Sequence, residues 1–274
     1  MTDTTTKLNK LMAMLKEMES VATGFSGGAD SAFLVAAAQR TLGDKAVAVT
    51  AYSATLPESE KQAAIEFARQ MGVHHILLEI SELESPDFVA NRPDRCYYCK
   101  QQRFSVLSRW AAEHGFQWVL EGSNADDTGD YRPGMRAVGE LAAVRSPLLE
   151  VGLTKAEIRQ LSADWNLPTW NKLSAACLSS RVAYGQPITE EKLKQIEQGE
   201  ELLKRYCSGQ VRLRHHGTLA RIEVFPEDMP ALAQPPLSQM ITRALKDLGF
   251  TYVTLDLAGY RMGSMNETIE KPGE

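Results

Sequence analysis

The run Val21-Ala22-Thr23-Gly24-Phe25-Ser26-Gly27-Gly28-Ala29-Asp30-Ser31 joins an apolar strand, a glycine turn and the opening of a helix without a break. The glycines let the backbone turn tightly and come close to a ligand, and the helix that follows offers unpaired N–H groups and a positive dipole end to an anion. No Gly-Lys-Ser/Thr follows, so this is not the Walker loop, and the spacing is not that of the dinucleotide G-x-G-x-x-G. A strand, an anion loop and a helix in this order point to an open α/β sheet, whose ligands sit at the carboxyl ends of the strands.

Outward from this run the chain alternates. Strands are expected at 21–25, 45–52, 74–80 and 118–121, and helices at 30–42, 57–71 and 98–114, after an amphipathic helix at 4–19 with Leu8, Leu11, Met12 and Leu15 on one face. Strand–helix repetition requires parallel strands joined by crossovers, hence a doubly wound parallel sheet with helices on both faces. Thr154 with Glu157 three positions on forms a capping box for a further helix. From about Lys172 the order becomes αββαβ, which predicts a second, smaller α+β domain with an antiparallel sheet. The domain boundary is placed between 176 and 177, giving domains 1–176 and 177–274.

The 274 residues are 43% hydrophobic and 24% charged, the balance of an ordinary globular protein. Thirty Lys and Arg against 35 Asp and Glu leave a net charge of −5, which does not favour a nucleic-acid partner. No apolar run approaches the ~20 residues of a membrane span, so a cytoplasmic protein without a membrane partner is expected. Four cysteines are too few for a disulfide scaffold.

The segment Ser26–Ser31 matches S-G-G-x-D-S and resembles the pyrophosphate loop of the ATP pyrophosphatase superfamily, an adenine nucleotide alpha hydrolase-like fold. The resemblance implies cleavage of ATP to AMP and pyrophosphate with adenylylation of a substrate. Ser26, Gly27, Gly28 and Ser31 would hold pyrophosphate, and Asp30 would bind Mg²⁺ beside it, with Asp126 as a possible partner. Ser53 and Thr55 follow the second strand, where the superfamily lines its adenine and ribose pocket. Gly122, Asn124 and Asp126 follow the fourth strand and complete one crevice.

Cys96-Tyr97-Tyr98-Cys99 has the spacing of metal sites, iron–sulfur sites and thioredoxin-type pairs. The thioredoxin fold pattern is missing, and zinc lacks an obvious second pair. Cys177, in Ala175-Ala176-Cys177-Leu178-Ser179-Ser180-Arg181, is the candidate third ligand. Three thiolates leave one iron of a cluster open to an external sulfide. Cys207, at a helix end, reads as a small buried hydrophobe.

Taken with S-P-L-L-E-V-G-L-T-K-A-E-I-R, A-C-L-S-S-R-V-A-Y-G and V-R-L-R-H-H-G-T-L-A-R-I-E-V, these motifs resemble the LarE family over about residues 8–264. This is a family of ATP-dependent sulfur transferases in nickel-pincer cofactor biosynthesis for lactate racemase. The resemblance implies adenylylation of the carboxylates of pyridinium-3,5-biscarboxylic acid mononucleotide and their conversion to thiocarboxylates, in a homo-oligomer assembled through the second domain. The family uses either a sacrificial cysteine matching Cys177 or a [4Fe-4S] cluster on three cysteines. Cys96, Cys99 and Cys177 favour the cluster. A tRNA thiolase and a non-catalytic ATP-binding module are the alternatives.

Arg212 and Arg214 share one face of a strand, opposite Val211 and Leu213, and can clamp a phosphate or carboxylate of the substrate. Arg181 is the candidate to meet the adenylylated intermediate. His74-His75 and His215-His216 point to opposite strand faces and read as structural. Glu200 and Glu201 read as a solvated helix face.

Overall fold

The computed structural model describes residues 3–129, 133–173 and 175–268, and the chain in it divides into two compact units. The first runs to Glu82 and resumes over Cys96–Ala175; the second takes Leu83–Arg95 and the chain from Ala176 onward. The first unit begins with α1 (Asp3–Met18), β1 (Val21–Gly24), α2 (Ala29–Leu42), β2 (Ala46–Tyr52), α3 (Glu58–Met71) and β3 (His75–Glu79). The chain then contributes a short helix to the second unit, α4 (Pro86–Val89), and returns with α5 (Arg95–Glu113), β4 (Trp118–Leu120), α6 (Pro133–Gly139), β5 (Val144–Arg145), α7 (Pro147–Glu150) and α8 (Lys155–Asp164).

Five parallel strands stand in the order β3-β2-β1-β4-β5. Val21 pairs with Ala46 on one side and Trp118 on the other, so β1 is central and the order reverses between it and β4. Both faces are covered. Val21 packs with Leu11 and Leu15 of α1, Phe33 and Leu34 of α2 and Ile158 of α8, whereas Ala22 packs with Val47, Val49 and Val119 under Leu107 and Ala111 of α5. Successive residues feed opposite cores because strand side chains alternate. Each fully buried Leu or Phe here contributes about 1.5–3 kcal/mol. The two-residue β5 was not legible as a strand, since Pro147, with no N–H to donate, ends it at once.

The capping box forms. Thr154 Oγ1 accepts from the Glu157 N–H at 3.3 Å, and the Glu157 carboxylate accepts from the Thr154 N–H at 2.9 Å. Lys7 of α1 donates to the same carboxylate at 2.9 Å, tying α1 to the start of α8. Burial would raise the pKa of Glu157, but the Thr154 N–H, Lys7 and two hydroxyls outweigh it and hold the group down at about 2.

The second unit contains α9 (Glu190–Lys204), β6 (Arg212–His216), β7 (Leu219–Glu223), α10 (Met229–Ala233), α11 (Leu237–Asp247) and β8 (Tyr252–Leu255). Gly217-Thr218 turns β6 into antiparallel β7, but β7 pairs with β8 in parallel. The sheet is therefore mixed rather than antiparallel as expected. The chain between β7 and β8 passes through α10 and α11, and such a crossover returns a strand in the same direction. Leu213, Ala220, Ile222 and Val224 share the core with Leu203, Ile241, Leu245 and Phe250, the apolar face that alternation assigns.

Leu83–Arg95 joins this unit through Asn91. Its amide donates to the carbonyl oxygens of Val182 at 3.3 Å, Ala183 at 2.8 Å and Gln186 at 3.0 Å, and its own oxygen accepts from Arg95. Asn91 is fully buried and has φ 51°, a conformation asparagine tolerates better than most residues. Replacing Asn91 with Ala strands several buried polar groups and is expected to lower the free energy of urea unfolding by about 2–3 kcal/mol. Asn91→Gly, which keeps the backbone conformation, should lose about as much; a near-wild-type Asn91→Gly would assign the role to the backbone instead.

Candidate active site

The phosphate loop occupies the carboxyl edge of the sheet between β1 and α2. Gly27 takes φ 74°, in the left-handed region that glycine favours. Ser26 and Ser31 bring their hydroxyls to 3.1 Å, and Ser31 Oγ donates to the Gly28 carbonyl at 3.2 Å. The helical ladder starts with the Ala32 N–H on the Gly28 oxygen at 2.9 Å, which puts the N–H groups of Ala29, Asp30 and Ser31 ahead of it and available to an anion. Gly122, just past β4, lies so close that a Cβ there would sit 3.3 Å from the Ser31 nitrogen. A side chain here would crowd the first turn of α2, so glycine lets the end of β4 approach the loop closely. Lys172 donates to the Gly27 carbonyl at 3.0 Å and to Glu60 Oε2 at 2.7 Å, bracing the loop from behind. No spacing or motif singled this lysine out.

A cavity of about 290 Å³ opens in front of the loop. Ser26, Gly28, Asp30, Ser31 and Gly122 line it, as the sequence reading requires of a single crevice. The opposite wall comes from α5, through Lys100, Arg103, Phe104 and Leu107, and sequence reasoning missed all four. Their i, i+3, i+4, i+7 spacing marks one helix face, but an apolar and basic face of this kind is equally what a core-facing helix shows.

Asp30 is the reactive-looking group in the cavity. Its Oδ2 accepts from Lys155 Nζ at 3.5 Å, while Oδ1 is buried with no hydrogen-bond partner among the described residues. Burial raises its pKa above the usual carboxylate value, and the nearby Asp127 adds to this against the attraction of Lys155. A bound cation would relieve both effects, and a hard carboxylate oxygen suits Mg²⁺. Asn124 and Asp126 organise the loop after β4. Asn124 Oδ1 accepts from the Asp126 N–H at 3.0 Å, and Asp126 Oδ2 accepts from the Lys155 N–H at 2.8 Å at the start of α8.

Ser53 and Thr55 sit beside the cavity with their hydroxyls 2.9 Å apart. Arg103 ties this strand end to α5, donating to Thr55 Oγ1 at 2.9 Å, the Ala51 carbonyl at 3.0 Å and Glu82 Oε1 at 2.6 Å. Burial would raise the pKa of Glu82, but Arg103 and the Ser53 hydroxyl pull it below its usual value. Glu121 behaves likewise, with burial opposed by Lys100 at 2.6 Å and by Ser123. Cys96 and Cys99 lie on the first turns of α5, three residues apart and so on one helix face; Cys99 Sγ donates to Glu82 Oε1 at 3.7 Å.

Cys177 belongs to the second unit, at the entrance of a short 3-10 turn, Leu178–Arg181. Arg181 donates to the Cys177 carbonyl at 2.8 Å and engages Glu200 through Nε at 2.8 Å and Nη2 at 3.0 Å. Glu200 also accepts from the Leu213 N–H at 3.1 Å. It is thus buried at 3% exposure, which corrects the expectation of a solvated face; Glu201 beside it is exposed. On the polar face of β6, Arg214 donates to Glu223 Oε2 at 3.0 and 2.8 Å, and Arg212 lies over the Tyr260 ring at 5.4 Å. Burial and the neighbouring Arg181 lower the pKa of Arg212. Arg181, Arg212 and Arg214 act on one another here beside the carboxylates Glu200 and Glu223, and guanidiniums so placed suit an anion. His215, hydrogen-bonded to Gln195 at 2.9 Å, is pushed down to about 4 by burial, and His75 meets Thr50 Oγ1 at 2.8 Å; both are structural. Among the described residues, no three His, Cys, Asp or Glu side chains are gathered around a common metal position, and no helix is long and apolar enough to cross a membrane.

Residues 4–92 match the family model described as NAD synthase. The chain is 36% identical to the pyridinium-3,5-bisthiocarboxylic acid mononucleotide synthase of Lactiplantibacillus plantarum over 97% of this chain and 96% of that protein. It is 39% identical to an uncharacterized protein of Synechocystis sp., over 97% of this chain and 98% of the relative. A tRNA 2-thiolation protein of Haloferax volcanii is 31% identical over 38% of this chain and 36% of its own length.

Because the fold raises the pKa of Asp30, its ionised form costs stability. That cost is absent below pH ~4, the ordinary Asp value, and appears as pH rises through the raised pKa. Thermal unfolding should therefore show Asp30→Asn more stable than the wild-type chain at pH 7 and equal to it near pH 4. Equal stability at both pH values would show that the carboxylate is not strained.

Proposed function

The chain belongs to the family of pyridinium-3,5-bisthiocarboxylic acid mononucleotide synthase, the LarE family of ATP-dependent sulfur transferases, and we propose that it converts both carboxylates of the pyridinium-3,5-biscarboxylic acid mononucleotide to thiocarboxylates. The observation that carries this reading is the pairing, in one cavity, of a helix-start anion site with the buried Asp30 Oδ1, which has no hydrogen-bond partner among the described residues. A substrate carboxylate oxygen attacks the α-phosphorus of ATP, the bond from that phosphorus to pyrophosphate breaks, and the loop N–H groups with Ser26 and Ser31 receive the leaving group. Asp30 fits Mg²⁺, which when bound offsets phosphate charge. The acyl-adenylate then exchanges AMP for sulfur at the carbonyl carbon.

Cys96, Cys99 and Cys177 supply the soft thiolate set that a [4Fe-4S] cluster takes, with two of them on one helix turn. Such a cluster provides an iron open to an external sulfide. Arg181 fixes the carbonyl of Cys177, and Arg212 with Arg214 would take the substrate phosphate or carboxylate. In a second reading Cys177, partly exposed at the entrance of its 3-10 turn, gives up its own sulfur. The mildly negative chain and the short match to the thiolation protein favour a small nucleotide substrate over tRNA. A homo-oligomer in the cytoplasm accords with this reading.

Pyrophosphate release from ATP should require the pyridinium substrate and fall at least ~100-fold in Asp30→Asn. Release without substrate dependence would remove the assignment. Arg212→Ala should raise the KM for the pyridinium substrate about 10- to 100-fold and leave that for ATP unchanged. Anaerobic iron–sulfur reconstitution followed by intact-mass analysis after turnover separates the two sulfur routes. A cluster-bearing chain with Cys177 intact supports the cluster; a cluster-free chain that loses H₂S from Cys177 establishes the sacrificial route.

A further inference from the structure

The helix that carries Cys96 and Cys99 also forms a wall of the nucleotide cavity, and one buried carboxylate stands between the two. Glu82 has no exposed surface. Its Oε1 accepts from Arg103 Nε at 2.6 Å, from Thr55 Oγ1 at 3.4 Å and from Cys99 Sγ at 3.7 Å, while Oε2 is buried without a hydrogen-bond partner among the described residues. Arg103 lines the cavity and holds Thr55 and the Ala51 carbonyl, the end of β2. The thiol of Cys99 and the strand end beside the cavity therefore share one acceptor atom.

We infer that Glu82 is a positioning residue that couples the thiol pair to the nucleotide: occupancy of the cavity and the chemical state of Cys99 change one another. Nucleotide that engages Arg103 or the β2 end restrains the guanidinium and, through it, Glu82. A restrained Glu82 keeps the Cys99 S–H in its hydrogen bond and slows its reaction. Conversely, removing or occupying the Cys99 sulfur frees an acceptor that Arg103 shares, and so alters how the strand end receives a nucleotide. Reciprocity is required, since a coupling free energy between two sites acts equally in both directions. Cys96, exposed on the same helix, serves as the internal comparison. The inference rests on the cavity being the ATP site of the proposed function.

The test uses the full chain, reduced and cluster-free, with α,β-methylene-ATP as the nucleotide so that no turnover occurs. Iodoacetamide labelling followed by mass spectrometry gives separate rates for Cys99 and Cys96. Saturating nucleotide should slow labelling of Cys99 at least threefold and leave Cys96 unchanged, and the slowing should vanish in Glu82→Gln. Cys99→Ala, which leaves Glu82 in place, should shift the Kd of the same nucleotide at least threefold, a readout that survives if Glu82→Gln does not fold. Equal Cys99 rates with and without bound nucleotide overturn the coupling, and slowing that persists in Glu82→Gln shows direct shielding and overturns it as well. If calorimetry shows no nucleotide binding to the wild-type chain, the cavity assignment falls and the coupling falls with it.

Discussion

A carboxylate taken out of water must be matched by donors or lose its charge, and this requirement organises the chemistry of both units. In the first, Glu82 and Glu121 lie buried against Arg103 and Lys100, the two cations that α5 presents to the cavity. In the second, Glu200 and Glu223 lie buried against Arg181 and Arg214. Removing one member of such a pair strands the other at a cost of about 3–5 kcal/mol, so the pairs hold side chains in single positions more than they add net stability. Arg181 thereby holds the Cys177 carbonyl, and Arg103 the end of β2.

Asp30 departs from this rule. One of its oxygens has no partner among the described residues, and its charge is strained rather than compensated. Glu121, the other acid lining the cavity, is met by Lys100, Ser123 and Ser146, so the unsatisfied Asp30 oxygen is the one in the cavity wall that a ligand could complete. Strain of this sort persists because the parallel sheet around it over-determines the loop. Gly27 and Gly122 are the backbone price of that arrangement, one for its left-handed turn and one for its contact with Ser31.

Much of this was legible in the chain itself. The strand–loop–helix at 21–31, the alternation that follows and the Thr154 capping box are local patterns, and each formed within three residues of its expected bounds. The opposite apolar and basic faces of β6 follow from a period of two. Other features have no local sign. Glu200 looks like its neighbour Glu201, and only the approach of Arg181 and β6 buries one and not the other. Lys172 reaches Gly27 across 145 residues, and the transfer of Leu83–Arg95 to the second unit depends on one asparagine meeting carbonyls about ninety positions away.

What the amino-acid order determined alone was therefore the anion loop, the parallel α/β sheet and the two faces of β6, because helix dipoles, glycine turns and strand periodicity act between near neighbours. What the tertiary structure decided was which charges are buried together, the parallel strand in the small sheet, and the role of α5 as the far wall of the cavity. Those outcomes depend on desolvation and on partners distant in sequence, and no local pattern encodes them.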